Sequence, residues 1–101
     1  MQLVIKEIGF WGRDVFLFDE EKNICLVNNE RKDVNVPRIM QDLLNILCGA
    51  NSAMVDNRVL DGSTFQIEIH KNGKKREYLF KNSFPKNFDT FTRILGGLKE
   101  C

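Results

Sequence analysis

The sequence predicts one α+β domain over residues 1–101, with an antiparallel sheet of five to six strands and two amphipathic helices. Three observations support this fold class. Short β-prone runs fill the first third of the chain, two later segments repeat apolar residues at helical spacing, and an Asn72-Gly73 pair separates two further β-prone runs. The predicted order is βββ-α-(β)ββ-α, where the strand in brackets is left open.

Three strands are predicted before residue 28. Leu3–Ile8 is aliphatic, and Gly9-Phe10-Trp11-Gly12 then supplies a turn. Val15–Phe18 and Ile24–Val27 are separated by five residues, a length suited to a hairpin loop. We expect an antiparallel meander that ends in a polar connection over residues 28–35. Trp11, at the tip of the first turn, is interpreted as a lid on the core in preference to an anchor for a partner.

Two helices are predicted from apolar spacing. The first has Pro37 in its opening turn and ends at Gly49; its stripe is Val36, Ile39, Met40, Leu43, Leu44 and Leu47. The second follows Phe84-Pro85, with the stripe Phe88, Phe91, Ile94, Leu95 and Leu98, and Gly96-Gly97 is expected to fray it before Lys99. In the segment 50–62 between the first helix and the hairpin, Ala53-Met54-Val55 and Val59-Leu60 are left open as short strands or an irregular crossing.

The pair Asn72-Gly73 predicts a two-residue type I′ hairpin, because both central positions of this turn need a positive φ. Pairing Lys71 with Lys74 then places Phe65 opposite Phe80, and the large apolar side chains share one face. We expect that face to be buried and the other to meet water. On the polar face Glu68 opposes Glu77, and the diagonal neighbours Lys75 and His70 are expected to relieve the repulsion.

Charge and cysteine content exclude several classes of function. The net charge is +1, so no overall field attracts nucleic acid or an anionic membrane. The chain has no basic leader and no apolar run near the roughly 20 residues needed to cross a bilayer. The three cysteines are scattered and odd in number. We expect a soluble, cytoplasmic protein without a membrane partner.

The residues that usually carry catalysis are sparse, so the sequence predicts a non-enzymatic protein without a cofactor or a metal. His70 is the only histidine and is interpreted as a solvated sheet residue. Cys25 and Cys48 are interpreted as packing residues, and Cys101 as an exposed thiol. No cysteine has a partner at metal-ligand spacing, and the Gly9–Gly12 segment lacks the Lys-Ser/Thr of a phosphate loop.

Two local charge clusters remain as candidate sites. The acidic residues Asp19, Glu20 and Glu21 are predicted to contact a basic protein partner, against the alternative of a solvated turn. A basic hairpin offers an alternative site that would bind nucleic acid, against the alternative that its charges protect a sheet edge. Its residues are Lys71, Lys74, Lys75 and Arg76.

The last third of the chain, from Phe65 to Leu98, resembles the immunity proteins of bacterial toxin systems. The resemblance lies in an aromatic strand, the segment Phe84-Pro85-Lys86-Asn87-Phe88 and a short closing helix, in a small α+β chain without catalytic groups. It implies a stoichiometric inhibitor in the cytosol of the producing cell, which caps a cognate toxin domain by surface complementarity. The near-neutral charge departs from the acidic balance of many inhibitors of nuclease toxins, so the toxin's activity is not implied.

Overall fold

A computed structural model describes residues 1–9, 12–58 and 62–100. These residues form seven strands and two helices, and one mixed sheet contains all seven strands. The elements in chain order are β1 (Gln2–Gly9), β2 (Gly12–Asp19), β3 (Ile24–Val27), β4 (Glu30–Lys32), α1 (Val36–Leu47), β5 (Ala53–Val55), β6 (Thr64–Lys71), β7 (Lys74–Lys81) and α2 (Phe88–Glu100). The α+β class is confirmed. The strand number and the purely antiparallel sheet were wrong, because β4 adds an unpredicted seventh strand at one edge and β5, at the other edge, pairs in parallel.

The strands lie in the spatial order β4-β3-β2-β1-β6-β7-β5. The meander β1-β2-β3 is antiparallel as predicted, with Leu3 opposite Phe18 and Phe18 opposite Cys25. The β6-β7 hairpin closes through Asn72 at φ 54° and Gly73 at φ 74°, and it pairs Lys71 with Lys74 and Phe65 with Phe80. The predicted hairpin register is therefore confirmed.

Strand β4 lies in the segment that the sequence analysis interpreted as a connection. Asn28 and Asn29 both adopt a positive φ, 53° and 69°, so the chain reverses in two residues and Glu30 pairs with Val27. The strand was missed because it has no apolar alternation. It is an edge strand with the sequence Glu-Arg-Lys, and backbone pairing with β3 is its main structural role.

Strand β5 is the bracketed strand that the sequence left open, and its parallel pairing is the second departure from the prediction. Ala53-Met54-Val55 forms a strand that pairs in parallel with β7, with Met54 beside Phe80. Strand β6 runs opposite to β5 and returns through the hairpin as β7, so β5 and β7 run in the same direction. The other candidate in this segment, Val59-Leu60, lies outside the described residues, as does the predicted lid at Trp11.

The core lies between one face of the sheet and both helices. Alternate residues of the strands are buried on this face, including Leu3, Ile5, Phe16, Phe18, Phe65, Ile67, Tyr78 and Phe80. The helices contribute Val36, Met40, Leu43 and Leu47 from α1, and Phe88, Phe91, Leu95 and Leu98 from α2. Both predicted apolar stripes are therefore confirmed in their main members, and the opposite sheet face carries no described helix.

The ends of both helices can be explained locally. The Asn35 side chain accepts a hydrogen bond from the backbone N–H of Arg38 at 3.3 Å, and Gly49 follows α1 with φ 81°, the left-handed conformation expected there. Helix α2 continues to Glu100, so the predicted fraying before Lys99 was wrong. Leu95 and Leu98 are buried in the core and stabilise its last turns despite the two glycines.

Candidate functional site

The two charge clusters predicted as alternative sites lie at the same end of the sheet. Gln2, at the start of β1, pairs with Asp19 on one side and with His70 on the other. The acidic turn after β2 and the β6-β7 hairpin tip therefore flank the start of β1, with Met1 between them. We call this region the hairpin end of the sheet. Sequence reasoning did not bring the two clusters together, because their proximity depends on the antiparallel pairing of β1 with β6.

The acidic turn divides into one structural residue and two exposed ones. Asp19 is only 7% exposed, and its carboxylate accepts hydrogen bonds from the backbone N–H of Lys22 at 3.2 Å and from Nε2 of Gln2 at 3.1 Å. These donors, the Lys22 N–H first, lower the pKa of Asp19. Glu20 is exposed, and Glu21 lies 84% exposed with Oε1 at 4.0 Å from the amino group of Met1. The charge that this turn offers to a partner therefore comes mainly from Glu20 and Glu21.

All four predicted cations of the hairpin are exposed. Lys75 Nζ lies 2.9 Å from Glu77 Oε1 and 3.8 Å from Glu68 Oε1. The hydrogen bond to Glu77 and the two negative charges raise the pKa of Lys75. Lys75 is thus held between the opposed glutamates, as the hairpin register predicted. The guanidinium of Arg76 lies over the Tyr78 ring, 5.2 Å from its centroid, on the other face.

A cleft of about 310 Å³ separates the acidic turn from the hairpin tip. Asp19 and Glu21 line one wall, residues 70–75 line the other, and Met1 and Gln2 lie between them. Opposite charges therefore face each other across this cleft.

A larger groove, of about 570 Å³, lies on the helix side of the same hairpin. Leu44, Met1 and Ile69 contribute partly exposed apolar surface, Cys48 is exposed, and the buried Leu47 and Tyr78 lie beneath them. The rim consists of the hairpin residues Lys71, Asn72, Lys74, Lys75 and Arg76. We call this the basic groove. It forms because the hairpin extends past the end of α1, so the inner face of its tip is left outside the core.

The basic groove was missed in the sequence, although one signal for it was present. The predicted register pairs Ile69 with Arg76 on the face of the hairpin that is turned toward the helices. Because arginine is rarely buried, Arg76 at this position indicates that the tip of the hairpin lies outside the core. Cys48 was interpreted as a packing residue, and this was wrong. It caps α1 in an extended conformation with φ −61° and ψ 121°, and it is exposed.

The residues considered for catalysis lie apart. His70 Nε2 is 3.6 Å from Glu68 Oε2 on the helix-free face of the sheet. Cys48 lies on the helix side, and Cys25 is buried in β3. His70 therefore faces away from both thiols.

Neither a metal centre nor a membrane-spanning helix is found in the described parts of the chain. Within residues 1–9, 12–58 and 62–100, no group of three or more His, Cys, Asp or Glu side chains is arranged to hold a metal ion. In the same ranges, neither helix has the length and apolar character needed to span a membrane. Comparison with protein-family models, with curated proteins and with solved structures found no match for this chain.

Proposed function

We propose that this protein is a stoichiometric inhibitor of the immunity type, which binds a toxin domain in the cytoplasm of the producing cell through the hairpin end of the sheet. The observation that carries the proposal is the basic groove, in which apolar side chains from α1 and β6 are surrounded by hairpin cations. An apolar centre within a charged rim is the usual composition of a protein interface.

The groove also contains a residue type that often dominates binding energy. Arg76 is exposed and packs over the ring of the buried Tyr78, and arginine is enriched among the interface residues whose truncation most weakens binding. We propose that an apolar side chain of the toxin enters the groove and that acidic residues around it meet Lys71, Lys74 and Arg76. Glu20 and Glu21 would contact basic groups at the border of the same interface.

Nucleic acid is the alternative ligand, favoured by four exposed cations on one hairpin. Against it, Lys75 is paired with Glu68 and Glu77, and Glu21 lines the adjoining cleft. These carboxylates repel phosphates next to the exposed tip of the hairpin. We therefore propose the protein partner. Nucleic-acid binding would instead show an affinity that falls steeply with salt.

The test begins with native isolation of the tagged chain from its own cells. The proposal expects one protein at an equimolar ratio, whose toxicity on expression is cancelled by co-expression of this chain. Isolation of the chain alone, or with nucleic acid only, would contradict it, as would a bound protein that is not toxic.

A matched pair of charge reversals then locates the contact. Arg76→Glu changes the rim of the basic groove, whereas Lys86→Glu makes the same charge change in the exposed segment before α2, at the opposite end of the sheet. We expect Arg76→Glu to weaken toxin binding at least ~10-fold, and Lys86→Glu to leave it within ~2-fold, by isothermal titration calorimetry. Equal effects of the two variants would rule out the basic groove as the contact.

A further inference from the structure

The sheet face opposite the helices has a polarised row of side chains that crosses six strands. The pairings place Arg31 beside Leu26, Leu26 beside Leu17, and Leu17 beside Val4. Val4 in turn lies beside Glu68, and Glu68 beside Glu77. The row therefore has a cation at one end, three aliphatic side chains in the middle and, at the other end, two carboxylates that share the single cation Lys75.

The aliphatic part of this row is incompletely covered. Val4, Leu17 and Leu26 are half-buried, whereas the alternate residues Leu3, Phe16 and Cys25 on the helix side are fully buried. Both helices pack on that other side. A sheet face with apolar side chains along its centre is usually covered by a second layer.

We propose that a second copy of this chain covers the helix-free face, and that the two sheets pack face to face in a symmetric dimer. Two identical faces can meet only through a two-fold axis that lies in the plane between them. An axis across the strands would place Arg31 over Arg31. An axis along the strands reverses the row and brings opposite charges together, so the charge pattern selects the second arrangement.

The strand spacing specifies the contacts. Strands lie about 4.8 Å apart. A two-fold axis that runs over β2 at Leu17 therefore places Leu17 of one copy over Leu17 of the second copy. The same axis places Leu26 over Val4 and Arg31 over Glu68. Val4 and Glu68 line a depression of about 410 Å³ on this face, together with Lys6, Gln66, Glu77 and Leu79. Leu26 of the second copy would therefore enter a concave surface, and Arg31 would add a cation beside the opposed Glu68 and Glu77.

The contact area predicts a weak dimer. A face of roughly 25 Å by 20 Å buries ~500 Å² on each copy, so ~1,000 Å² in total, which is at the lower limit for a specific interface. The basic groove lies on the helix side and remains accessible in this dimer. Dimerisation and toxin binding are therefore independent, and either can fail without the other.

The test measures the dissociation constant of the full chain by sedimentation equilibrium. We expect self-association in the micromolar range, and an increase of at least ~10-fold in the dissociation constant for Leu17→Glu, because this residue meets its own copy. Arg31→Glu and Glu68→Arg should each weaken self-association. In either variant, positions 31 and 68 carry the same charge, and they face each other at two symmetric contacts of the dimer. Circular dichroism and the unfolding midpoint of each variant show whether its fold is retained.

Mixing the two charge variants distinguishes this interface from any other. In the mixed dimer, the two substituted positions face each other with opposite charges, and the native Glu68 of one chain faces the native Arg31 of the second, so both contacts become complementary. We expect an equimolar mixture to associate with near wild-type affinity. A wild-type chain that remains monomeric at about 0.2 mM, a dimer unaffected by Leu17→Glu, or a mixture that stays as weak as its components would each overturn the proposal.

Discussion

The carboxylate of Asp14 joins the start of β2 to the end of α2, because its Oδ2 lies 3.2 Å from Nζ of Lys99, 85 residues away in the chain. Its other oxygen accepts a hydrogen bond from Nδ2 of Asn28 at 2.9 Å. The Asn28 hydrogen bond, followed by Lys99, lowers the pKa of Asp14. One partly exposed carboxylate thus connects the first hairpin, the β3-β4 turn and the closing helix.

We expect a double-mutant cycle between Asp14→Ala and Lys99→Met to give a coupling free energy of ~0.5 kcal/mol, since the pair is partly exposed and screened by salt. Asp14→Ala alone should lower the free energy of unfolding more than Lys99→Met does, because it also removes the hydrogen bond to Asn28. Urea unfolding measures both. Equal single effects would show that the Asn28 contact does not contribute to stability.

Two glycine substitutions should act in opposite directions. Gly73→Ala places a side chain at φ 74° in the hairpin turn, so we expect a loss of ~1 kcal/mol in the free energy of unfolding. Gly96→Ala lies within α2, where the added methyl group meets no described atom within 4 Å, and should stabilise by ~1 kcal/mol. Thermal unfolding of the two variants provides the comparison. A destabilising Gly96→Ala would mean that the last turns of α2 are not helical in solution.

The aromatic cluster under α2 should dominate core stability. Phe91 is fully buried and stacks on Phe88 with ring centroids 4.6 Å apart. We expect Phe91→Ala to lower the free energy of unfolding by ~3–5 kcal/mol. Phe84→Ala is the control, because Phe84 stacks on the same Phe88 ring but is 39% exposed, and it should cost ~1 kcal/mol or less. Chemical denaturation of both variants separates burial from ring stacking.

The acidic turn should add a pH dependence to stability. Because folding lowers the pKa of Asp19, its contribution is present above the ordinary pKa of about 3.9 and is lost as the pH falls through the lower folded value. We expect Asp19→Asn to be less stable than wild type at neutral pH, with a difference that shrinks in acid. Urea unfolding between about pH 2 and 7 measures it. Asp42→Asn, on the exposed side of α1, serves as the control; a difference that stayed constant in acid would contradict the role given to Asp19.

The exposed thiol of the basic groove should be selectively reactive. In a Cys101→Ser background, we expect one thiol of the folded protein to react with a maleimide, at Cys48, while Cys25 reacts only on unfolding. Mass spectrometry of the modified peptides identifies the site. Labelling of Cys25 in the folded state would contradict its burial in β3.

Local chemistry predicted the parts of this fold that depend on neighbours in sequence. The Asn72-Gly73 turn determined the register of β6 and β7, and the apolar spacing with Gly49 determined where α1 lies. Strand β4 was missed because its turn is made by Asn28-Asn29 without a glycine and its residues are all charged. The basic groove was missed for a different reason: the distance from Leu47 to Ile69 depends on where α1 crosses the sheet, and long-range packing determines that crossing.

The outermost strands, β4 and β5, are only three residues long each, and β4 is fully charged. A strand from another molecule that paired with either edge could form backbone hydrogen bonds with only these three residues. Sideways growth of the sheet into a fibre is therefore unfavourable, and the protein can accumulate to high concentration without this route to aggregation.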